Sequence, residues 1–277
     1  MEPIADGICT LPGGLVLEDG RCLSQAELRP LYGREEEWLA RHPRAPSAVA
    51  VTHLLSACLL RLDDQPAHRD QVGRLLVCDR DYLMLHLRRI TLGETIRAVL
   101  TCPACTAKMD VDFQAADVPV ECRPQTASSY TLDLVTGAGP DRTVWFRLPT
   151  GADQEAVLGL AGEQAVEMLL SRCLLDEGSA ALLPSEQSVV IEAMDHLAPQ
   201  LELELELVCP ECSHTFVILF DTTLFFLSEM SINGHQLARE VHHLAFHYHW
   251  SEAEILGLTR SRRHMYLSLL SEALRSK

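Results

Sequence analysis

Two cysteine pairs, Cys102-Pro103-Ala104-Cys105 and Cys209-Pro210-Glu211-Cys212, constrain this chain more than any other feature. The C-x-x-C spacing lets two thiolates grip one tetrahedral ion, and two such pairs complete a closed four-cysteine zinc site. Cys102 and Cys209 lie 107 residues apart, far beyond the spacing of a compact zinc ribbon. The metal is therefore expected to clip together two distant parts of the chain. Closing so long a loop costs entropy that grows only logarithmically with length. A structural zinc, worth roughly 10 kcal/mol or more in small peptides, offsets it.

The flanking residues put each pair at the tip of a β-hairpin. Leu201-Glu202-Leu203-Glu204-Leu205-Glu206-Leu207-Val208 alternates strictly, with leucines toward a core and glutamates toward water. Residues 215–220 follow as a partner strand, and residues 96–100 and 109–113 flank the first pair in the same way. Each tip is expected to be a zinc knuckle, with Cys102, Cys105, Cys209 and Cys212 as ligands of one structural Zn2+. Thr106 and Ser213 stand where a common knuckle form has glycine. His214 is an alternative ligand. A disulfide arrangement and four unrelated buried thiols are the other readings of the pairs. The chain holds ten cysteines, and its first residues lack the basic region and apolar core of a signal peptide. Both points favour a reducing cytoplasm and thiolate ligation. Cys58 and Cys173 fall in apolar helical patterns and read as small core residues.

The same plan occurs twice. Leu28-Arg29-Pro30-Leu31-Tyr32-Gly33-Arg34-Glu35-Glu36-Glu37 aligns with Phe146-Arg147-Leu148-Pro149-Thr150-Gly151-Ala152-Asp153-Gln154-Glu155, sharing the arginine, the glycine and the last glutamate. Leu54-Leu55-Ser56-Ala57-Cys58-Leu59-Leu60 matches Leu169-Leu170-Ser171-Arg172-Cys173-Leu174-Leu175 everywhere but Ala57/Arg172. The acidic run after each glycine suits a helix N-terminus. The expected fold is α+β: two related halves, each with a zinc-knuckle hairpin sharing the one site, and a C-terminal helical module. The boundaries are residues 1–122 for the first half, 123–143 for a polar linker, 144–223 for the second half and 224–277 for the module.

Local signals fill in the rest. Residues 8–25 read as a hairpin with turns at Pro12-Gly13-Gly14 and Glu18-Asp19-Gly20. Asp79 is a candidate N-cap of a helix through Ile90, with Gly93 just past its end. Leu237, Val241, Leu244, Ala245 and Tyr248 define one helical face. Ser251-Glu252-Ala253-Glu254 is a capping box, and Thr259 is a candidate cap for a last helix. Arg260, Arg262 and Arg263 open that helix against its dipole; they are candidate partner-binding residues, with pairing to Glu252, Glu254 or Glu272 as the alternative. His235, His242, His243, His247 and His249 cluster, yet no H-E-x-x-H arrangement occurs among them and a solvated face is expected.

Charge and motifs exclude several function classes. With 39 acidic against 23 basic residues the net charge is −16, and Lys108 and Lys277 are the two lysines. Nucleic-acid binding needs clustered basic residues, so none is expected. No run approaches the roughly 18 apolar residues of a membrane span. Phosphate-binding glycine loops, a nucleophile elbow and the H-x-E of zinc deaminases are missing from the sequence. A four-cysteine site is also closed to water. A non-enzyme is expected.

Several segments in order resemble a family of tail and baseplate proteins from contractile phages and related contractile injection systems, often labelled baseplate hub assembly proteins or chaperones. They are Leu11-Pro12-Gly13-Gly14, Leu28 to Gly33, Cys78-Asp79-Arg80-Asp81-Tyr82-Leu83, Leu87 to Gly93, and His249-Trp250-Ser251-Glu252-Ala253-Glu254-Ile255-Leu256 followed by Arg262-Arg263 and Tyr266-Leu267. The resemblance implies a non-catalytic cytoplasmic protein, a baseplate component or assembly chaperone of a phage-tail-like particle. Its implied partners are hub, spike or tube proteins. A zinc-ribbon adaptor in another cytoplasmic complex is the alternative reading.

Overall fold

The computed structural model describes residues 7–123, 127–134, 142–175, 182–232 and 234–275, without the side chains of residues 232, 234 and 235. The side chain of His235 and parts of the stretch 123–143 therefore lie outside what is described. The architecture is α+β, with strands in small antiparallel sheets and helices packed over them.

The first core is built on a four-stranded sheet of β1 (Ile8–Val16), β2 (Cys22–Leu28), β3 (Leu59–Leu62) and β4 (Gln65–Pro66). Helices α1 (Gly33–Arg41), α2 (Ser47–Cys58), α3 (Arg69–Arg74) and α4 (Val77–Leu92) surround it. Leu15, Leu23 and Leu28 of the sheet meet Leu54, Leu55 and Cys58 of α2 and Leu83, Met84 and Leu87 of α4. From α4 the chain turns at Gly93, whose φ of 98° closes the helix. It then enters the hairpin β5 (Thr95–Thr101) and β6 (Lys108–Gln114).

A second core begins after the short strand β7 (Val120–Glu121). Strand β8 (Tyr130–Leu134) pairs with β9 (Arg142–Phe146), so the stretch expected as a linker carries a strand. Tyr130 and Leu132 pack on Val144 and Phe146, apolar contacts that a merely polar composition did not reveal. Helices α5 (Gly151–Ala156), α6 (Glu163–Cys173) and α7 (Pro184–Leu197) follow. Leu170, Cys173, Val190 and Met194 close this core. Strand β10 (Gln200–Leu201) pairs with β7, and β11 (Glu204–Val208) with β12 (Thr215–Leu219) forms the second cysteine hairpin.

The chain ends in α8 (Thr222–Ile232), α9 (Gly234–Tyr248), α10 (Glu252–Leu256) and α11 (Arg260–Arg275). These helices return to the first core. Phe226 and Met230 complete it, Thr223 donates to Asp81 at 2.9 Å, and Arg88 Nε meets Glu229 at 3.1 Å. The capping box forms as expected, with Ser251 Oγ accepting from the Glu254 N–H and the Glu254 carboxylate accepting from Ser251.

The two stretches aligned in sequence make the same bonds. Arg29 N–H donates to Cys58 O and Arg147 N–H to Cys173 O. The Arg29 guanidinium clasps Glu35 at 3.0 Å, and Arg147 clasps Asp153 at 2.6 Å. Although burial opposes it, Arg147, Thr150 and Arg172 hold the Asp153 carboxyl well below the usual carboxylate range.

Each clasp then receives a helical arm. Gly151 N–H donates to Leu75 O, and Leu76 bridges Thr150; Gly33 N–H donates to Leu258 O, and Thr259 bridges Tyr32. Residues 68–80 thus correspond without a gap to 251–263, and the helices read as a module outside the repeat repeat the α3–α4 arm. Each arm plants a buried arginine, Arg80 or Arg263, against the glycine that starts the clasp helix. A Cβ at Gly151 would run into the Arg80 guanidinium, and one at Gly33 would lie 3.1 Å from Arg263 Nη1. Any side chain at Gly151 would displace Arg80, whereas at Gly33 the neighbours would have to give by a small amount.

Two expectations are corrected here. Asp79 does not cap α4, which begins earlier at Val77 behind Leu76. Its carboxylate is buried and accepts the Gly13 N–H at 2.8 Å, pinning the first hairpin to the helix. Arg263 is not a surface residue. It is 1% exposed, with Nη2 on Glu36 at 2.8 Å and Nε on Glu240 at 2.9 Å. His264 and Arg263 hold Glu240 down to about 2 against the opposing effect of burial.

Removing one partner of a buried ion pair strands the other, so Arg263→Ala is expected to lower the unfolding free energy by about 3–5 kcal/mol in urea titrations. A change within error of zero would contradict the joint. Burial pushes Asp79 from 3.8 up to about 6, against the hydrogen bonds from Gly13 and Gly14. The folded state then holds a proton that the unfolded state releases, and the stability this supplies is lost as pH rises through about 6. Asp79→Asn is expected to shrink the stability lost between pH 4 and pH 7 by about 1–3 kcal/mol; a pH profile parallel to the parent's would refute the assignment.

Candidate metal centre

The hairpins β5–β6 and β11–β12 are separate two-stranded sheets that meet at their cysteine-bearing tips. Their roots pack through Ile96, Ala98, Leu203 and Phe220 beneath Leu85 of α4. Nearer the tips, Met109, Leu207 and Phe216 surround Cys102 and Cys209. The alternation in β11 has the expected sense, with Leu205 and Leu207 half-buried and Glu204 and Glu206 exposed.

The structure brings all four predicted cysteines together, their Sγ atoms lying within 4.8 Å of one another. Cys102 Sγ is 3.7 Å from Cys212 Sγ, and Cys105 Sγ is 3.5 Å from Cys209 Sγ. A disulfide would need about 2.05 Å, and all ten cysteines are free. A tetrahedral ion with sulfur bonds of about 2.3 Å spaces its ligands about 3.8 Å apart. The four thiols could therefore hold one metal ion with little movement. Cys102 and Cys209 are buried, and Cys105 and Cys212 face outward, giving a path of entry.

The two tips are local copies. Thr106 N–H donates to Cys102 O at 3.0 Å and Cys102 N–H to Ala107 O at 2.9 Å. Ser213 N–H donates to Cys209 O and Cys209 N–H to His214 O, each at 2.9 Å. Thr106 and Ser213 take φ of 61° and 57°, the left-handed conformation that favours glycine. The chain keeps the knuckle backbone and accepts the strain of a side chain there. Backbone N–H groups of Cys212 and Glu211 aim at the Cys209 sulfur and bring that thiol down to about 7. The Ala107 N–H draws Cys105 the same way, but the crowding thiols of Cys212, Cys209 and Cys102 push it up to about 12.

His214 stacks on Phe216 and does not belong to the four-sulfur group. Among the described residues no second group of metal-ligating side chains is gathered, and His242 and His247 instead contact the Phe246 ring. Of the three arginines expected to bind a partner, Arg262 is exposed, Arg260 is mostly covered and lies 3.9 Å from Glu36, and Arg263 is spent inside. Reasoning from the sequence missed the Arg80–Gly151 and Arg263–Gly33 joints. The signal available was a glycine at the start of each aligned helix.

The family model described as T4 bacteriophage base plate protein matches residues 18–176, more than half of the 277-residue chain. The protein belongs to that baseplate-related phage family. The matched span runs from the first hairpin through Cys102 and Cys105 to the Arg147 clasp and α6, and it ends before the second cysteine pair. Comparison with curated proteins and with solved structures gives no match.

Cys102→Ser and Cys209→Ser each remove a ligand from the buried side of the group. Both are expected to abolish stoichiometric metal and to lower the melting temperature by roughly 10 °C or more. Full metal content with an unchanged melting temperature in either variant would refute a shared site.

Proposed function

We propose that this protein is a non-catalytic component, or hub-assembly chaperone, of the baseplate of a phage-tail-like contractile particle, held together by one structural zinc ion. The family match over residues 18–176 carries the reading. The four-thiol donor set supports zinc, since a closed, tetrahedral, all-sulfur site suits a structural ion and leaves no position for water. The repeated clasps and knuckles support an origin by duplication, with one hairpin from each half sharing the ion.

The partners proposed are hub, spike or tube proteins. Arg262, Met265 and Leu269 stand three and four residues apart on α11 and are exposed, and Phe246 of α9 is exposed as well. Together they form the proposed contact surface, with Arg260 beside it. Action in the cytoplasm before or during particle assembly fits this reading, and no described helix is long and apolar enough to cross a membrane.

Quantitative mass spectrometry of purified sheathed particles, together with deletion of the gene, tests the proposal. Stoichiometric presence marks a baseplate subunit. Absence from particles, combined with failure of particles to form in the deletion strain, marks a chaperone. Absence with normal particle yield would overturn the baseplate reading.

A further inference from the structure

The two clasps are built on one plan but finished differently, and the differences converge on one cavity. In the first clasp the space beside the glycine is filled. Tyr32 lies under the guanidinium groups of Arg29 and Arg34, at 4.1 and 5.0 Å from its ring, and Leu256 of the arm packs against Gly33. The equivalent residues of the second clasp are Thr150, Ala152 and Gly73. All three are small, and all three line an open cavity of about 380 Å3. Two positions change the other way. Ala57 and Gly257 of the first joint correspond to Arg172 and Arg74 of the second, and both arginines line the cavity.

In a chain of net charge −16, this cavity is therefore lined by Arg74, Arg147 and Arg172 against a single carboxylate, Asp153. Asp153 is fully buried and already engaged by Arg147, Thr150 and Arg172. Arg172 meets Asp153 through its Nε, at 2.8 Å, and among the described residues its two Nη groups have no acceptor. Arg74 has no ion-pair partner among the described residues. The apolar part of the lining comes from Leu15, Val16, Leu76 and Leu148.

We infer that this cavity binds a carboxylate of a partner polypeptide. Planar guanidinium groups match a carboxylate in paired hydrogen bonds, as Arg29 and Arg147 already do within this chain. The surrounding negative charge repels an extended polyanion but leaves a single carboxylate on a peptide able to reach the local excess of positive charge. The volume suits one side chain with its adjoining backbone. The carboxylate belongs to an acidic side chain or to a chain terminus, and the two sources are separable by experiment.

The test is a titration of the full-length protein, followed by the NMR signals of the arginine Nε–H groups. The probes are N-acetyl-aspartate methylamide, N-acetyl-asparagine methylamide, N-acetyl-alanine with a free carboxylate, and inorganic phosphate. A saturable shift at Arg172 and Arg74 is expected with the aspartyl amide or with N-acetyl-alanine, and none with the asparaginyl amide. The stronger of the two carboxylate probes identifies the source. Arg74→Ala, at the outer wall, is expected to weaken binding roughly tenfold. Gly73→Leu restores the filler that the first joint carries, so it is expected to abolish binding without lowering the melting temperature. No saturable shift with either carboxylate, binding of phosphate alone, or undiminished binding by Gly73→Leu would each overturn the inference.

Discussion

Four sulfur atoms join two hairpins that share no strand edge. A two-stranded hairpin is marginal in water by itself, and β5–β6 and β11–β12 meet only through a thin apolar contact and their cysteines. Much of the structure depends on that junction. The first hairpin leaves α4, which lies in the first core, and the second leads into α8, which returns to that same core. The intervening chain, including the whole second clasp, is a loop closed at the thiols. One ion there would fix a closure worth several kcal/mol of chain entropy, because the cost of the loop depends only weakly on its length.

The arginine joints impose a second, more specific kind of order. Burying Arg263 between Glu36 and Glu240 gains little over a well-packed apolar contact, yet it tolerates no mismatch of partners. The Arg80 joint works differently. Its Nη2 donates to Ala48 O and Thr52 Oγ1, and Thr52 in turn bonds Glu155 of the clasp helix. In both joints the glycine supplies the space and the arm supplies the charge. The first arm docks on the second clasp and the last arm on the first clasp. Each clasp is thereby completed by an arm from a distant part of the chain.

How much of this was legible in the sequence depends on the range of each interaction. Local signals read correctly: the Leu-Glu alternation of β11, the Ser251 capping box, Gly93 at the end of α4, and the cysteine tips. The clasps were visible as aligned residues because Arg29 and Arg147 act on neighbours six positions away. Long-range pairing was not. Glu36 lies 227 positions from Arg263, and nothing local distinguishes that arginine from Arg262 beside it. The correspondence of the two arms rests on Leu75/Leu258 and Arg80/Arg263 alone among thirteen aligned residues, too little to detect without coordinates. Asp79 has the composition of a cap, but its carboxylate is claimed by Gly13 from another element. The strand at Tyr130–Leu134 lies in a stretch whose polar composition masked its apolar contacts.

The central claim is that one ion is held by thiolates from both hairpins. X-ray absorption spectroscopy at the zinc edge, on protein purified under reducing conditions, addresses it most directly. The account predicts one zinc per chain with four sulfur scatterers at about 2.3 Å. A metal-free protein, or a zinc shell in which nitrogen or oxygen replaces any of the sulfurs, would contradict it.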